Sequence, residues 1–283
     1  MLRADDAWNR GADPLPVLDE ARAAYAQAIA VAPGQGFAYA NLGSMLVRRC
    51  TYMLARGEDP RPSGREAEQP LRQGLERMPG ATWLRGLLGT VHVIQARFEL
   101  DHGRDPGAEL TRALEELRAA LEKNPQDAEM WLQLGRAKAI EARWNEQRGA
   151  PRAGALEEVA TSLEKAITLS PDEPEYRLEA GLFYRHQAAR KPREGGDAGP
   201  WLQRGLELAE QVLQARPDWP VAQALRASLR LEWADTASPE EANHWRRLAL
   251  EELAQALQRN PNLSHEWSGV LTAARRPGAA PEP

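Results

Sequence analysis

Residues 112–139 read RALEELRAALEKNPQDAEMWLQLGRAKA. Ala113, Leu117 and Ala120 recur at spacings of four and three, which sets them along one face of a helix. Pro125 cannot continue that helix and pushes the residue before it out of the α region, so one helix closes here. Past the proline, Trp131, Leu134 and Gly135 open a second apolar pattern at helical spacing. Small residues at these offsets let two helices approach closely. The stretch therefore reads as the end of one helix, a turn and the start of its antiparallel neighbour.

The same phrase recurs along the chain. Prolines that follow an apolar helical pattern stand at Pro33, Pro79, Pro125, Pro171, Pro217 and Pro261, at intervals of 46, 46, 46, 46 and 44 residues. Glycines keep the same beat, with Gly11, Gly57, Gly103, Gly149 and Gly195 each 46 apart. Ala21, Tyr25 and Ala28 before Pro33, and Ala249, Leu253 and Ala256 before Pro261, repeat the offsets of Ala113, Leu117 and Ala120. Tyr39, Leu42 and Gly43 repeat those of Trp131, Leu134 and Gly135. A fixed period of this size marks a stack of helical units rather than a single globular core.

These residues carry a resemblance to the tetratricopeptide repeat (TPR), with its Trp-x-x-Leu-Gly first helix A, its small-aromatic-small helix B and its closing proline. The third unit, with WLQLGRAKA at 131–139, matches best. The second has Arg85 where the aromatic belongs and moves the ring to Trp83, and the fifth has Arg226-Ala227 in place of Leu-Gly, so the fifth is expected to depart most from regular packing. The resemblance implies an all-α, right-handed α-solenoid of antiparallel helix pairs with no β-sheet. It implies one superhelix over 1–274: a partial unit 1–33, units of about 34–79, 80–125, 126–171, 172–217 and 218–261, and a capping helix of about 262–274 holding Trp267. Residues 275–283 are expected to be a disordered tail. The ten residues before Gly11 read as the tail of a helix A whose beginning is absent, which suggests a fragment of a longer protein.

An ordinary unit of this kind has about 34 residues, so 12 extra must be placed in each 46-residue unit here. Apolar residues continue at helical spacing beyond Gly43, and an aromatic recurs 19 residues after the proline as Tyr52, Phe98 and Trp144. Helix A is therefore expected to be elongated, with about 27 Å from Tyr39 to Arg56. The repeat glycine then ends helix A in a left-handed conformation. Asp59 and Asp105 cap helix B, with Pro60 and Pro106 at its first position. The phrases RGEDPRPSGREAEQPL (56–71) and HGRDPGAELTRAL (102–114) resemble the repeat arrays that follow the catalytic domain of bacterial serine/threonine kinases.

Kinase chemistry itself is absent. Gly103 splits His102 from Arg104-Asp105, and the fifth residue beyond Asp105 is Leu110 rather than the metal-binding Asn. No catalytic, cofactor-binding or metal residues are assigned. The five histidines, at 92, 102, 186, 244 and 265, lack ligand spacing, and the one cysteine, Cys50, has no neighbouring base and is expected in the core. A net charge of −5 with interleaved signs argues against nucleic acid. Apolar runs too short to span a bilayer argue against a membrane, and a cytoplasmic location is expected.

What remains is a surface for a protein or peptide segment. The family lines its inner, concave face with helix A positions 4, 7, 11, 14 and 15 after the proline. By position this selects Phe37, Ser44 and Arg48, then Trp83 and Thr90, then Glu129 and Arg136, then Glu175, Arg185 and His186. The set does not make up the combination of Lys/Arg with Asn by which some family members clamp a peptide's terminal carboxylate, so no such clamp is expected. The longer helices filling this groove with their own side chains is the alternative. Self-association through the uncapped first repeat is a further expectation, as is membership of a larger signalling protein whose kinase domain is not in this chain.

Overall fold

Each repeat proline fixes the end of a helix. The computed structural model of the chain describes residues 2–190 and 196–274. The residues preceding the six prolines all leave the helical region, with φ between −132° and −137° and ψ between 69° and 88°. A proline ring disfavours the α conformation of the residue before it, so helices stop at Val31, Arg77, Lys123, Leu169, Ala215 and Arg259. Each stop is followed by a short turn and the next first helix.

Among the described residues there are thirteen α-helices and no strand. They are α1 (Leu2–Asn9), α2 (Leu15–Val31), α3 (Gly36–Ala55), α4 (Arg61–Arg77), α5 (Thr82–Asp101), α6 (Gly107–Lys123) and α7 (Ala128–Gln147). Then follow α8 (Ala155–Leu169), α9 (Pro174–Arg190), α10 (Gly199–Ala215), α11 (Pro220–Ala234), α12 (Pro239–Arg259), a 3-10 turn (Pro261–Leu263) and α13 (Ser264–Ala274). The first helices start at Gly36, Thr82, Ala128, Pro174 and Pro220, each 46 residues after the last. The architecture is all-α and solenoid-like, with successive helices packed in pairs. α3, α5 and α7 are each 20 residues long, about 30 Å, while α11 has only 15.

The turn between the two helices of a pair is built from a glycine and an aspartate. Gly11, Gly57, Gly103 and Gly149 have φ of 75°, 74°, 67° and 71°, the left-handed region that ends a helix. Gly195, the next in the series, lies outside the described residues, as does the tail 275–283. The aspartates sit one step earlier than sequence reading places them. Asp59 and Asp105 accept from the backbone N–H of Arg61 and Gly107, at 3.0 and 2.7 Å, so they fold over Pro60 and Pro106 as Asx turns, and the prolines occupy the cap position. Asp13 and Asp197 do the same to Leu15 and Gly199. The third pair, α7 and α8, has Ala150-Pro151 and no aspartate, and there Gly154 takes a φ of 76° as the residue ahead of a helix that begins only at Ala155.

The chain divides into two compact units at the fourth repeat proline: Met1–Ala7 with Asp13–Pro171, and Trp8–Ala12 with Asp172–Pro283. In the first unit each pair is locked by a leucine of the second helix occupying space left by a glycine of the first. Leu71 faces Gly43, Leu117 faces Gly89 and Leu163 faces Gly135. A Cβ added to Gly89 or Gly135 would lie 2.7 or 2.8 Å from the facing leucine side chain. The core around Leu117 also takes in Ala113, Ala120, Met130, Leu134 and Ala137. Outside these pairs, α2 buries only Leu18, leaving Val31 80% exposed.

In the second unit the core joins Leu202, Ala209, Leu225, Ala227, Leu253 and Trp267. Arg226-Ala227 does not loosen the fifth pair: Ala227 is fully buried, and Arg226 turns outward to Glu252, which also accepts from Arg230 at 2.9 Å. Asn262 donates to the carbonyls of Ala12 and Trp8, at 3.1 and 3.4 Å.

Two alanine substitutions separate the two uses of glycine. Gly103→Ala meets no atom within 4 Å and is expected to cost about 1 kcal/mol from its left-handed backbone alone. Gly89→Ala drives its methyl into Leu117 and is expected to cost about 2–3 kcal/mol, close to the upper end for overpacking. Urea unfolding of both variants checks the order, and a larger loss at Gly103 would refute it.

Candidate functional site

Helix A side chains follow a 46-residue cycle, so equivalent positions can be compared directly. In the first unit the position four residues after the proline carries Phe37 at 66% exposure, Trp83 at 38% and Glu129, which is half-buried. Phe37, Trp83 and Val31 are the exposed large hydrophobic residues among the described ones. Leaving two aromatic rings in water at matching places on neighbouring helices forgoes burial energy that a folded chain ordinarily uses. Glu129 accepts from Gln133 Nε2 at 2.7 Å on its own helix.

The other selected residues of the first unit are less free. Thr90 is 7% exposed and donates to the Gly86 carbonyl at 2.9 Å, which leaves it little to offer a partner. Ser44 and Arg136 are half-buried, and Arg48 lies 3.5 Å from Asp5. Arg85, at the place of the missing aromatic, pairs with Glu116 of α6 at 2.9 Å. At the same place in the third repeat, Trp131 donates its indole N–H to the Pro125 carbonyl at 2.9 Å.

In the second unit Glu175 pairs with Arg216 across to the end of α10, and His186 is exposed. Arg185 lies with its guanidinium 4.6 Å from the ring centroid of Trp267, which is wholly buried. Sequence reading selected Arg185 but placed Trp267 only in a capping helix. The signal that joins them is the alignment of three successive first helices, α9, α11 and α13, which no local motif announces.

The aromatics at the far end of helix A serve as structural props. Phe98 lies between the guanidinium groups of Arg61 and Arg104, at 4.9 and 5.2 Å, and 4.0 Å from the His102 ring. Trp144 covers the start of α6, where a Cβ on Gly107 would meet its ring at 2.9 Å, and Arg148 stacks on it at 4.2 Å. Tyr52 donates to Asp5, and burial together with that carboxylate pushes its hydroxyl well above the usual phenol range. These rings brace the turn of the preceding pair.

Two titratable groups are enclosed. Cys50 is 1% exposed with Sγ 3.5 Å from the Pro60 carbonyl, and burial pushes its thiol up to about 12. His92, also fully buried, holds Nδ1 2.7 Å from Glu109 Oε2, while its Nε2 has no partner. The hydrogen bond to His92 draws the Glu109 carboxyl below the usual range, against the opposing effect of burial. Among the described residues no cluster of three or more His, Cys, Asp or Glu could hold a metal, and no helix is long and apolar enough to cross a membrane.

No family profile and no curated protein matches the chain. Solved structures do resemble it. A thermophilic TPR protein of Thermus thermophilus shares 18% identity and superposes with a TM-score of 0.51 over 82% of this chain and 98% of its own. The C-terminal part of a TPR repeat-containing protein from Cytophaga hutchinsonii shares 12%, with a TM-score of 0.47 over 96% and 91% of the two chains. Human IFIT1, solved as a dimer with m7Gppp-AAAA, shares 15%, with a TM-score of 0.44 over 91% of this chain and 66% of its own. The Thermus protein establishes a TPR-like fold and nothing about a ligand.

The His92–Glu109 bond predicts an acid-dependent loss of stability. A carboxyl depressed in the folded state contributes stability above its ordinary value of about 4.3 and loses it as pH falls through the folded value. Thermal melts at pH 7 and at about pH 3 are expected to show a smaller acid-induced drop in Glu109→Gln than in the unaltered protein. Equal drops would mean the bond contributes nothing.

Proposed function

We propose that this chain is a non-catalytic protein-interaction module, built from TPR-like units of 46 residues whose extra length lies mainly in helix A. The observation that carries this reading is the pair Phe37 and Trp83, left exposed at equivalent positions of adjacent first helices inside a densely packed repeat unit. Adjacent helix axes lie about 8–10 Å apart, a separation that one extended or helical segment can touch at two successive side chains. Aromatic and Arg anchors on a preformed surface lose little entropy on binding. The likeness of RGEDP and HGRDP to arrays that follow bacterial serine/threonine kinase domains supports a regulatory place in a larger signalling polypeptide. An in-frame catalytic domain upstream in the gene tests that part.

Affinity capture with the purified chain, followed by cross-linking mass spectrometry, tests the module directly. The expected result is one partner cross-linked near Phe37 and Trp83. Phe37→Ala and Trp83→Ala are each expected to weaken it at least tenfold while far-UV circular dichroism stays unchanged. Binding that survives both substitutions would place the partner on another face.

A second reading rests on α2, whose outer face is almost unburied and ends in the exposed Val31. Such a face suits end-to-end stacking of copies. Light scattering is expected to show concentration-dependent dimers that Val31→Glu abolishes. A monomer at all concentrations would remove this reading.

A further inference from the structure

Arg185 occupies an inner-face position on α9, and its charge is left without a bonded anion. Among the described residues it takes part in no hydrogen bond or ion pair, and its Nε is buried without an acceptor. It is fixed instead by stacking on Trp267 at 4.6 Å, and the indole Nε1 beneath it is likewise buried and unpartnered. Glu232 of α11 and Glu266 of α13 act on it through space, without a hydrogen bond or ion pair to it. Burial draws the group below the usual arginine range. The residue as a whole is half-buried.

A guanidinium nitrogen buried without an acceptor raises the free energy of the folded state, and such orphaned groups call for an explanation. Its planar fork suits bidentate pairing with a carboxylate, and stacking on an aromatic ring holds that fork in one orientation. A phosphate fits less well, because its second negative charge would meet Glu232 and Glu266.

We propose that Arg185, seated on Trp267, receives an aspartate or glutamate side chain of an acidic partner segment lying along the inner face of the second unit. This assignment rests on the interaction-module reading and names the partner's chemistry at one point. It concerns a side chain within a segment, so a peptide with a blocked terminus is the appropriate probe.

The test uses the full chain, nitrogen-15 labelled, titrated with an N-acetylated and C-amidated nonapeptide of Ala, Gly and three Glu. The Arg185 Nε–H and Trp267 indole N–H resonances are expected to move saturably. The peptide with Gln in place of Glu is expected to bind at least tenfold more weakly, which requires no variant of the protein. Arg185→Lys, which keeps the charge and loses the fork, is expected to bind several-fold more weakly, and Glu266→Gln several-fold more tightly because a repelling charge is gone. Equal binding of the Gln peptide, or unchanged binding by Arg185→Lys, overturns the assignment. So does a Glu266→Gln variant that loses thermal stability without gaining affinity, since Arg185 would then serve only to balance the glutamates. Capture of a partner at Phe37 and Trp83 is independent of these outcomes, so the site can fail while the module stands.

Discussion

A leucine filling the space of an absent side chain sets the geometry of the first unit. Leu71, Leu117 and Leu163 enter the gaps at Gly43, Gly89 and Gly135, and each contact leaves no room for even a methyl group. Dense interiors tolerate neither a void nor an extra carbon at such a point, so the closest approach of the two helices is fixed at one level along their length. Everything else in the pair takes its register from that level: the alanines at Ala113 and Ala120 beside Leu117, and the glycine turn at Gly103, 14 residues past Gly89. The second unit shows what happens when the partner changes. At Gly181 the gap is filled by Leu225 of the neighbouring first helix, not by the second helix of its own pair.

With register fixed at the middle, the ends are set by local chemistry. A pre-proline residue closes one end, and a left-handed glycine followed by an Asx turn over proline closes the other. Both devices are backbone effects that act within a few residues. The pre-proline stop holds at Pro33 through Pro261 irrespective of what the surrounding side chains contact. Where one part is missing, as at Ala150-Pro151, the following helix starts late and an additional glycine supplies the turn.

This division explains which features could be read from the residues. Helix ends, the period and the all-α class were legible because proline, glycine and aspartate act locally and repeat in register. The burial of Ala113, Leu117 and Ala120 was legible from spacing alone, yet Ala21, Tyr25 and Ala28 share that spacing and none of them is fully buried, because burial depends on what packs against a face. The same limit applies to the inner face. Position in the repeat selected Phe37, Trp83 and Thr90 alike as candidates for a partner, yet the two rings are exposed while Thr90 is consumed by a bond to its own helix. Arg85 was legible as a departure from the aromatic pattern, but its pairing with Glu116 was not, since those residues lie 31 apart.

The two units differ at the side chains selected along their first helices. In the first, Phe37 and Trp83 are left exposed, and elsewhere on these helices Arg85 pairs with Glu116 and Arg48 lies beside Asp5. In the second, the ring of Trp267 is wholly enclosed and the unpaired group is the cation lying on it. Exposed aromatic surface and a desolvated unpaired charge are both unfavourable until something covers them, and they call for different covers: an apolar side chain in one case, an anionic one in the other. A scaffold that keeps one helical frame and varies the residues along its first helices can thus present two chemistries without altering its fold.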